Sequence, residues 1–205
     1  VIQSGKMIFD YGDTHETSYI ASVRKSLLSM LYGNYVEDGT INLNKTLQEL
    51  KIDDVGGLLN SEKEATILDI LQSKSGVFHP ASNPGGNEWL FPERGTKESG
   101  TFFIYNNWDF NVAGYIFEKE TGKNIYDAFE SDIADKIGFQ QWDRSKQKKS
   151  GDTTKSQFKA YHFELSTRDM ARVGYLMLRK GKWKNEQVIP SSWVERSTSI
   201  TTSYA

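Results

Sequence analysis

Apolar residues recur every three to four positions over several segments of the chain, a spacing that is typical of amphipathic helices. The clearest pattern predicts a first helix over 22–37, with Gly39 as its stop. Its predicted inward positions are Leu27, Leu28, Leu31, Tyr35 and Val36. Further helices are predicted after Thr66, from Asn107 to Glu120, from Ile125 to Lys136, after Ser166 and near Pro190.

Strand patterns are scarce by comparison. The apolar stretches on either side of Ser4-Gly5 predict a β-hairpin over 1–9. Two strands make a marginal sheet, so either the fold is mostly helical or further strands lie outside these residues. Because the chain opens within a predicted strand, we expect a fragment of a longer protein. The polar segments 74–99 and 140–160 are predicted to be loops.

Composition narrows the class of protein. The length of 205 residues and the hydrophobic content of 37% suit a single packed domain over 1–205. A formal net charge of -2 favours neither a nucleic-acid partner nor a membrane surface, and no apolar run has the length of a membrane span. The absence of cysteine excludes disulfides and thiol catalysis within this chain, and it leaves the cellular compartment open.

Ser22 and Lys25 are the first candidates for catalysis. A spacing of three places a hydroxyl and an amine on one face of the predicted helix, where the lysine can take the proton of a nucleophilic serine. The same spacing occurs at Ser145/Lys148 and Ser156/Lys159, which belong to the polar segment predicted to be a solvated loop. Context therefore favours Ser22 as the nucleophile, although helix capping is its plain alternative.

Tyr105 and Asn107 could supply the second half of such a site. Tyr105 ends an apolar run, and Asn107 is predicted to cap the helix that follows. A phenol at this junction can act as a general acid or base, and the amide of Asn107 can contact a substrate carbonyl. The alternatives are a packing aromatic and a plain cap. The equivalent pattern at Tyr32 falls inside the first predicted helix and is expected to be structural.

The histidines are weaker candidates. His15, His79 and His162 lack the spacing of metal ligands, so no metal is expected. His79, in the long loop, and His162, just before the Ser166 helix, could contact substrate. Hydrogen bonds from these rings to the backbone are the alternative.

Four motifs occur in one order along the chain. They are Ser22-Val23-Arg24-Lys25-Ser26, Leu68-x-x-Leu71-x-x-x-Ser75-Gly76, Tyr105-Asn106-Asn107-x-x-Phe110-Asn111-x-x-Gly114 and Ser166-Thr167-Arg168-Asp169-Met170-Ala171-Arg172-Val173-Gly174. This series resembles the serine beta-lactamase-related hydrolases, a group of class C beta-lactamases, DD-peptidases, esterases and 6-aminohexanoate-oligomer hydrolases. The resemblance implies an α+β, beta-lactamase/transpeptidase-like fold, in which a helical cluster packs on an antiparallel sheet. N-terminal and C-terminal strands of that sheet would then be missing from this chain.

The resemblance also implies roles for individual residues. Ser22 matches the nucleophile, Lys25 and Tyr105 match the general base and acid, and Asn107 matches the residue that orients substrate. The backbone N–H of Ser22 matches half of the oxyanion hole. The implied reaction passes through an acyl-enzyme on an amide, lactam or ester, with a small-molecule or peptide-like substrate and no cofactor.

Part of the family pattern is absent. Its third motif, Lys or His followed by Thr or Ser and then Gly, should lie on a strand after the Ser166 helix. Lys149-Ser150-Gly151 has the right composition, but it is predicted to lie in a polar loop without a neighbouring strand. The chain would therefore carry the nucleophile side of a site whose opposite wall it lacks.

Three interpretations stay open. Between Gly76 and Tyr105 the chain departs from class C beta-lactamases, and this favours the esterase and amide-oligomer hydrolase branch. A non-catalytic penicillin-recognising or sensor domain of the same fold is the first alternative, and a plain helical interaction domain is the second. Among compartments, the resemblance favours export to the periplasm or the cell exterior.

Overall fold

The computed structural model describes residues 1–202, which group into two compact units. The first unit comprises 1–38, 123–148 and 162–199, and the second comprises 39–122, 149–161 and 200–202. Each unit is therefore assembled from separate stretches of the chain. The single domain over 1–205 stays a prediction.

Helices account for most of the regular structure. In chain order they are α1 (Arg24–Glu37), α2 (Asn60–Lys63), α3 (Ile67–Leu71), α4 (Asn107–Thr121), α5 (Ile125–Phe129), α6 (Asp135–Ile137), α7 (Thr167–Leu178) and α8 (Ser191–Ser197). Short 3-10 turns occupy Ala21–Val23, Glu88–Leu90 and Arg144–Lys146.

The strands are two or three residues long in the described part of the chain. They are β1 (Ile2–Gln3), β2 (Lys6–Met7), β3 (Thr17–Tyr19), β4 (Lys149–Ser150), β5 (Ala160–Tyr161), β6 (Glu164–Ser166), β7 (Lys182–Trp183) and β8 (Glu186–Gln187). They pair antiparallel as β1–β2, β3–β6, β4–β5 and β7–β8. The predicted N-terminal hairpin is confirmed. The prediction that no strand flanks Lys149 is wrong, because β4 pairs with β5.

The first unit packs α1 against α8. Trp193 of α8 covers Gly33 of α1, where a Cβ atom would lie 2.7 Å from the indole Cδ1, and its Nε1 donates to the Ser29 carbonyl at 2.7 Å. Tyr32 beside this glycine is fully buried, which confirms its structural role. Only glycine admits so close an approach, so this turn of α1 is specified by packing.

The start of the first helix differs from the prediction. Ser22 lies in the 3-10 turn Ala21–Val23, and α1 begins only at Arg24. Ala21 has φ +47°, a left-handed conformation that is strained for a residue with a Cβ. The sharp entry into α1 therefore places Ser22 on a bent segment instead of in a regular helical turn.

In the first unit, the pairing of β3 with β6 places the start of α7 beside the segment that leads into α1. Strand β3 pairs with β6, with Thr17 opposite Ser166. The Ser166 Oγ accepts the Asp169 N–H at 3.1 Å and caps α7, as predicted.

The third predicted helix is not continuous, because a π-helical segment at Glu130–Ala134 separates α5 from α6.

The second unit packs α3 on α4. A reciprocal capping box between Thr66 and Asp69 starts α3, as the sequence predicts. On α4, Gly114 lies under the ring of Tyr161, whose Cδ1 would be 2.5 Å from an added Cβ. The predicted cap of α4 is wrong by one residue, since the Asn106 side chain, not that of Asn107, accepts the Trp108 N–H at 2.9 Å.

Candidate active site

Ser22 and Lys25 are brought together by the turn into α1. The Lys25 Nζ donates to the Ser22 Oγ at 3.2 Å. Ser22 is exposed, whereas Lys25 is only 7% exposed. An accessible hydroxyl that is hydrogen-bonded to a shielded amine is the arrangement that serine activation by lysine requires. The left-handed Ala21 just before Ser22 adds local strain, which proteins tend to retain at functional positions.

His162 lies in the same unit, beside the approach to Ser22. Its Nδ1 is 3.0 Å from the Tyr19 hydroxyl, and the two rings meet edge to face with centroids 5.2 Å apart. Burial and the nearby Arg24 charge lower the pKa of His162 below its ordinary value of 6.5. The ring is thus held towards its neutral form. Contact between His162 and substrate stays a prediction.

Tyr105 and Asn107 belong to the second unit, where α4 begins. Tyr105 is 37% exposed, and its carbonyl accepts a hydrogen bond from the Asn87 Nδ2 at 2.8 Å. Asn107 is half-buried, and its Nδ2 donates to the Asn83 carbonyl at 2.9 Å. Asn106, and not Asn107, takes the capping role at this helix. The roles of Tyr105 and Asn107 in catalysis stay predictions.

His79 is also in the second unit and is buried, at 2% exposure. Its Nδ1 is 2.9 Å from the Pro80 carbonyl oxygen, and its Nε2 is 2.7 Å from the Val55 carbonyl oxygen. Both ring nitrogens therefore have backbone partners. These contacts favour a loop-bracing interpretation for His79, and a role in substrate binding stays a prediction.

The other two serine–lysine pairs have different surroundings. Ser145 is exposed and donates to Asp143 Oδ1 at 2.6 Å. Ser156 is fully buried and donates to Asp54 Oδ2 at 2.5 Å, so its assignment to a solvated loop is wrong. Asp54 also accepts the indole N–H of Trp108 at 2.8 Å, and together these bonds tie the 151–159 segment into the second unit.

A buried polar cluster next to Tyr105 escaped the sequence analysis. It consists of Ser73, Ser75, Asn106 and Asp109, each at most 3% exposed. Burial raises the pKa of the Asp109 carboxyl well above its ordinary value. The one signal in the sequence was that Ser75 and Asn106 belong to two of the ordered motifs.

A groove of about 670 Å³ opens in the first unit between the N-terminal hairpin and α7. Phe9, Tyr175 and Trp183 supply apolar walls, and Arg168 and Arg172 supply charge. Ser22 is not among the residues that line this groove.

Within the described residues there is neither a metal-binding cluster nor a membrane-spanning helix. Residues 1–202 contain no group of three or more histidine, aspartate or glutamate side chains arranged to hold a metal ion. None of the helices in this range combines the length and apolar character needed to cross a bilayer.

Comparison with known proteins identifies a family and a fold. The family model described as Beta-lactamase matches residues 1–203. A candidate 6-aminohexanoate-dimer hydrolase from Bacillus anthracis superposes with a TM-score of 0.67 at 22% identity, over 92% of this chain and 54% of its own. D-amino acid amidase from Ochrobactrum anthropi gives a TM-score of 0.61 at 16% identity, over 90% of this chain and 59% of its own.

A third solved structure extends the likeness to penicillin-binding proteins. The octameric penicillin-binding protein homologue from Pyrococcus abyssi gives a TM-score of 0.61 at 16% identity, over 89% of this chain and 48% of its own. The chain thus spans about half the length of such solved structures. No curated protein sequence matches it. The beta-lactamase/transpeptidase-like fold implied by the motifs is confirmed.

Proposed function

The chain belongs to the beta-lactamase family of serine hydrolases, and we propose that it carries the nucleophile half of an acyl-transferring site in which Ser22 attacks an amide, lactam or ester carbonyl. The observation that supports this proposal most directly is the 3.2 Å hydrogen bond from the Lys25 Nζ to the exposed Ser22 hydroxyl. A binding module of the same fold would not need a shielded amine on an accessible serine.

The proposed chemistry follows from these groups. As the Ser22 Oγ forms a bond to the carbonyl carbon, its single proton passes to the acid–base pair of Lys25 and Tyr105, one member of which must be deprotonated beforehand, and the carbonyl electron pair moves to oxygen. Collapse of this tetrahedral species breaks the bond to the leaving group, which takes up the proton. Water then attacks the acyl carbon, the bond to the Ser22 Oγ breaks, and one proton of the water passes through the same acid–base pair to that oxygen as the acid is released. No cofactor takes part. The involvement of Tyr105 is carried over from the family resemblance.

The substrate class is proposed at the level of the scissile bond. An amidase and a candidate amide-oligomer hydrolase are among the structures of like fold, which favours an amide carried by a small or peptide-like molecule. Asn107 would orient that amide through its side chain, which is not needed as the helix cap. Ester cleavage by the same serine requires no additional group.

Covalent labelling of the full-length protein tests this proposal. A fluorophosphonate or a fluorescent penicillin should attach to Ser22, as read by intact mass and peptide mapping. Ser22→Ala should abolish the label, because it removes the exposed hydroxyl that the Lys25 amine contacts. Ser145→Ala is the matched control, since it removes an exposed serine with the same spacing to lysine, and it should label normally.

The fate of the label separates the alternatives. Label from the penicillin that turns over, together with release of acid from an amide or ester substrate, supports the hydrolase. A penicillin label that persists on Ser22 would contradict the hydrolase interpretation and support the sensor interpretation. Absence of any label on Ser22 from either probe would overturn both.

A further inference from the structure

The residues on either side of Tyr105 are both hydrogen-bonded to the side chain of Ser73. The Ser73 Oγ donates to the Ile104 carbonyl at 3.0 Å and accepts the Asn106 N–H at 3.1 Å. The Ile104 N–H also donates to the Ser73 carbonyl at 3.1 Å. Three hydrogen bonds from one residue therefore fix the backbone on both sides of Tyr105, while the phenol side chain stays 37% exposed.

The rest of the cluster closes these bonds into a network. The Ser75 Oγ donates to Asp109 Oδ1 at 2.6 Å and accepts the Val77 N–H at 3.0 Å. The Asn106 Nδ2 donates to the Val77 carbonyl at 2.7 Å. The 73–77 segment is thereby joined to the first turn of α4 by buried polar contacts. Buried networks of this kind restrict the groups that they join to one geometry.

The segment that supplies Ser73 is itself held in an unusual conformation. Ser73 has φ +55°, and Gly76 has φ +71°. A Cβ atom at Gly76 would lie 2.6 Å from the Lys97 carbonyl oxygen, so glycine is required there. Left-handed backbone at a serine is costly and persists where the surroundings determine it. The strain at Ser73 is compensated by the bonds to Ile104 and Asn106.

We propose that Ser73 is a positioning residue for Tyr105, which aims the phenol by fixing the backbone of its two neighbours. This inference rests on the proposed acid–base role of Tyr105 and goes beyond it by assigning a function to a buried serine outside the catalytic motifs. Asp109 and Ser75 extend the same support into α4. Misplacement of a reacting group by about 1 Å costs on the order of 100-fold in rate.

The test compares two buried serines of the second unit. Ser73→Gly removes the hydroxyl and leaves a residue that adopts φ +55° without strain. Ser82→Ala removes a hydroxyl of equal burial that donates to the Phe158 carbonyl at 2.6 Å, away from Tyr105. We expect Ser73→Gly to lower the second-order rate of Ser22 acylation about 10- to 100-fold, and Ser82→Ala to leave it unchanged.

A double-mutant cycle shows whether Ser73 acts through Tyr105. In the Tyr105→Phe background the loss caused by Ser73→Gly should vanish, because the phenol that Ser73 positions is already absent. An equal loss in both backgrounds would mean that Ser73 merely stabilises the unit and would overturn the inference.

The inference and the proposed function can fail separately. If Tyr105→Phe lowers acylation but Ser73→Gly does not, the positioning role is wrong and the acid–base role stands. If Tyr105→Phe leaves acylation unchanged, the acid–base role itself is wrong. Thermal unfolding of each variant identifies a failure to fold, and Ser73→Ala then supplies a second removal of the same hydroxyl.

Discussion

The surroundings of Ser22 and Ser156 differ although both serines stand three residues before a lysine. Ser22 is exposed and accepts a hydrogen bond from the Lys25 amine at 3.2 Å. Ser156 is fully buried and donates a hydrogen bond to Asp54, while Lys159 is exposed. Because the Ser156 hydroxyl is fully buried, a substrate in solvent cannot reach it. One sequence pattern therefore gives an exposed serine–lysine contact in one unit and a buried structural serine in the other.

The difference comes from the backbone around each pair. Ser22 enters α1 through a helical turn, so a spacing of three brings its side chain to the same face as Lys25. The 156–159 segment is irregular, and in extended chain three residues span about 10 Å. Spacing alone thus carries little information until the local conformation is known.

The largest expected difference between the two serine–lysine pairs is in how replacement of the lysine, Lys25 or Lys159, changes the rate of Ser22 acylation. Lys25→Met keeps the length and apolar stem of the side chain and removes the amine that contacts Ser22. We expect acylation of Ser22 to fall by about 10²- to 10⁴-fold, the usual contribution of a general base. Lys159→Met should leave it unchanged. The measurement is the rate of fluorophosphonate labelling of the full-length protein.

A null result would be equally informative. If Lys25→Met labels at the normal rate and unfolds at the normal temperature, the contact between Lys25 and Ser22 is structural, and the two regions are alike after all. Circular dichroism of both variants excludes misfolding as a cause of lost labelling.

The reverse experiment affects stability instead of chemistry. Ser156→Ala removes a buried donor from Asp54, and we expect the free energy of unfolding to fall by about 1–3 kcal/mol in denaturant titrations. Ser145→Ala, at an exposed hydroxyl, should change it by less than about 0.5 kcal/mol. Labelling of Ser22 should be normal in both. A Ser156→Ala variant of unchanged stability would contradict the structural role assigned to Asp54.

Predictions based on local hydrogen bonds were the most accurate. Thr66 and Ser166 were both expected to cap helices, and both do, because a cap depends only on residues three positions apart. The fold class was also predictable, since four motifs in one order specify a family far better than any one motif does. Tyr32 was assigned to the first helix by the same periodicity that predicts α1.

Features that depend on distant residues were missed. The burial of Ser156 depends on Asp54, which is 102 positions away, and a local polar composition hides it. Two adjacent asparagines, Asn106 and Asn107, are equally good caps by type, so sequence could not choose between them. The cluster around Ser73 joins segments about 30 residues apart and has no periodic signature.

The smallest expected effect is the contribution of His162, in the same unit as Ser22, to the pH dependence of stability. Burial and Arg24 lower the pKa of His162 in the folded protein, so the unfolded chain binds the proton more readily. The contribution of His162 to stability is therefore complete above its unfolded pKa of 6.5 and is lost as the pH falls from there through the lower folded value. His162→Gln should flatten the dependence of unfolding free energy on pH between about 7 and 5.

An NMR titration of the His162 ring should give a midpoint below 6.5, and Arg24→Met should raise it. A midpoint at or above 6.5 would mean that neither burial nor the Arg24 charge acts on this ring, and the Ser22 region would then be less shielded from water than its geometry indicates.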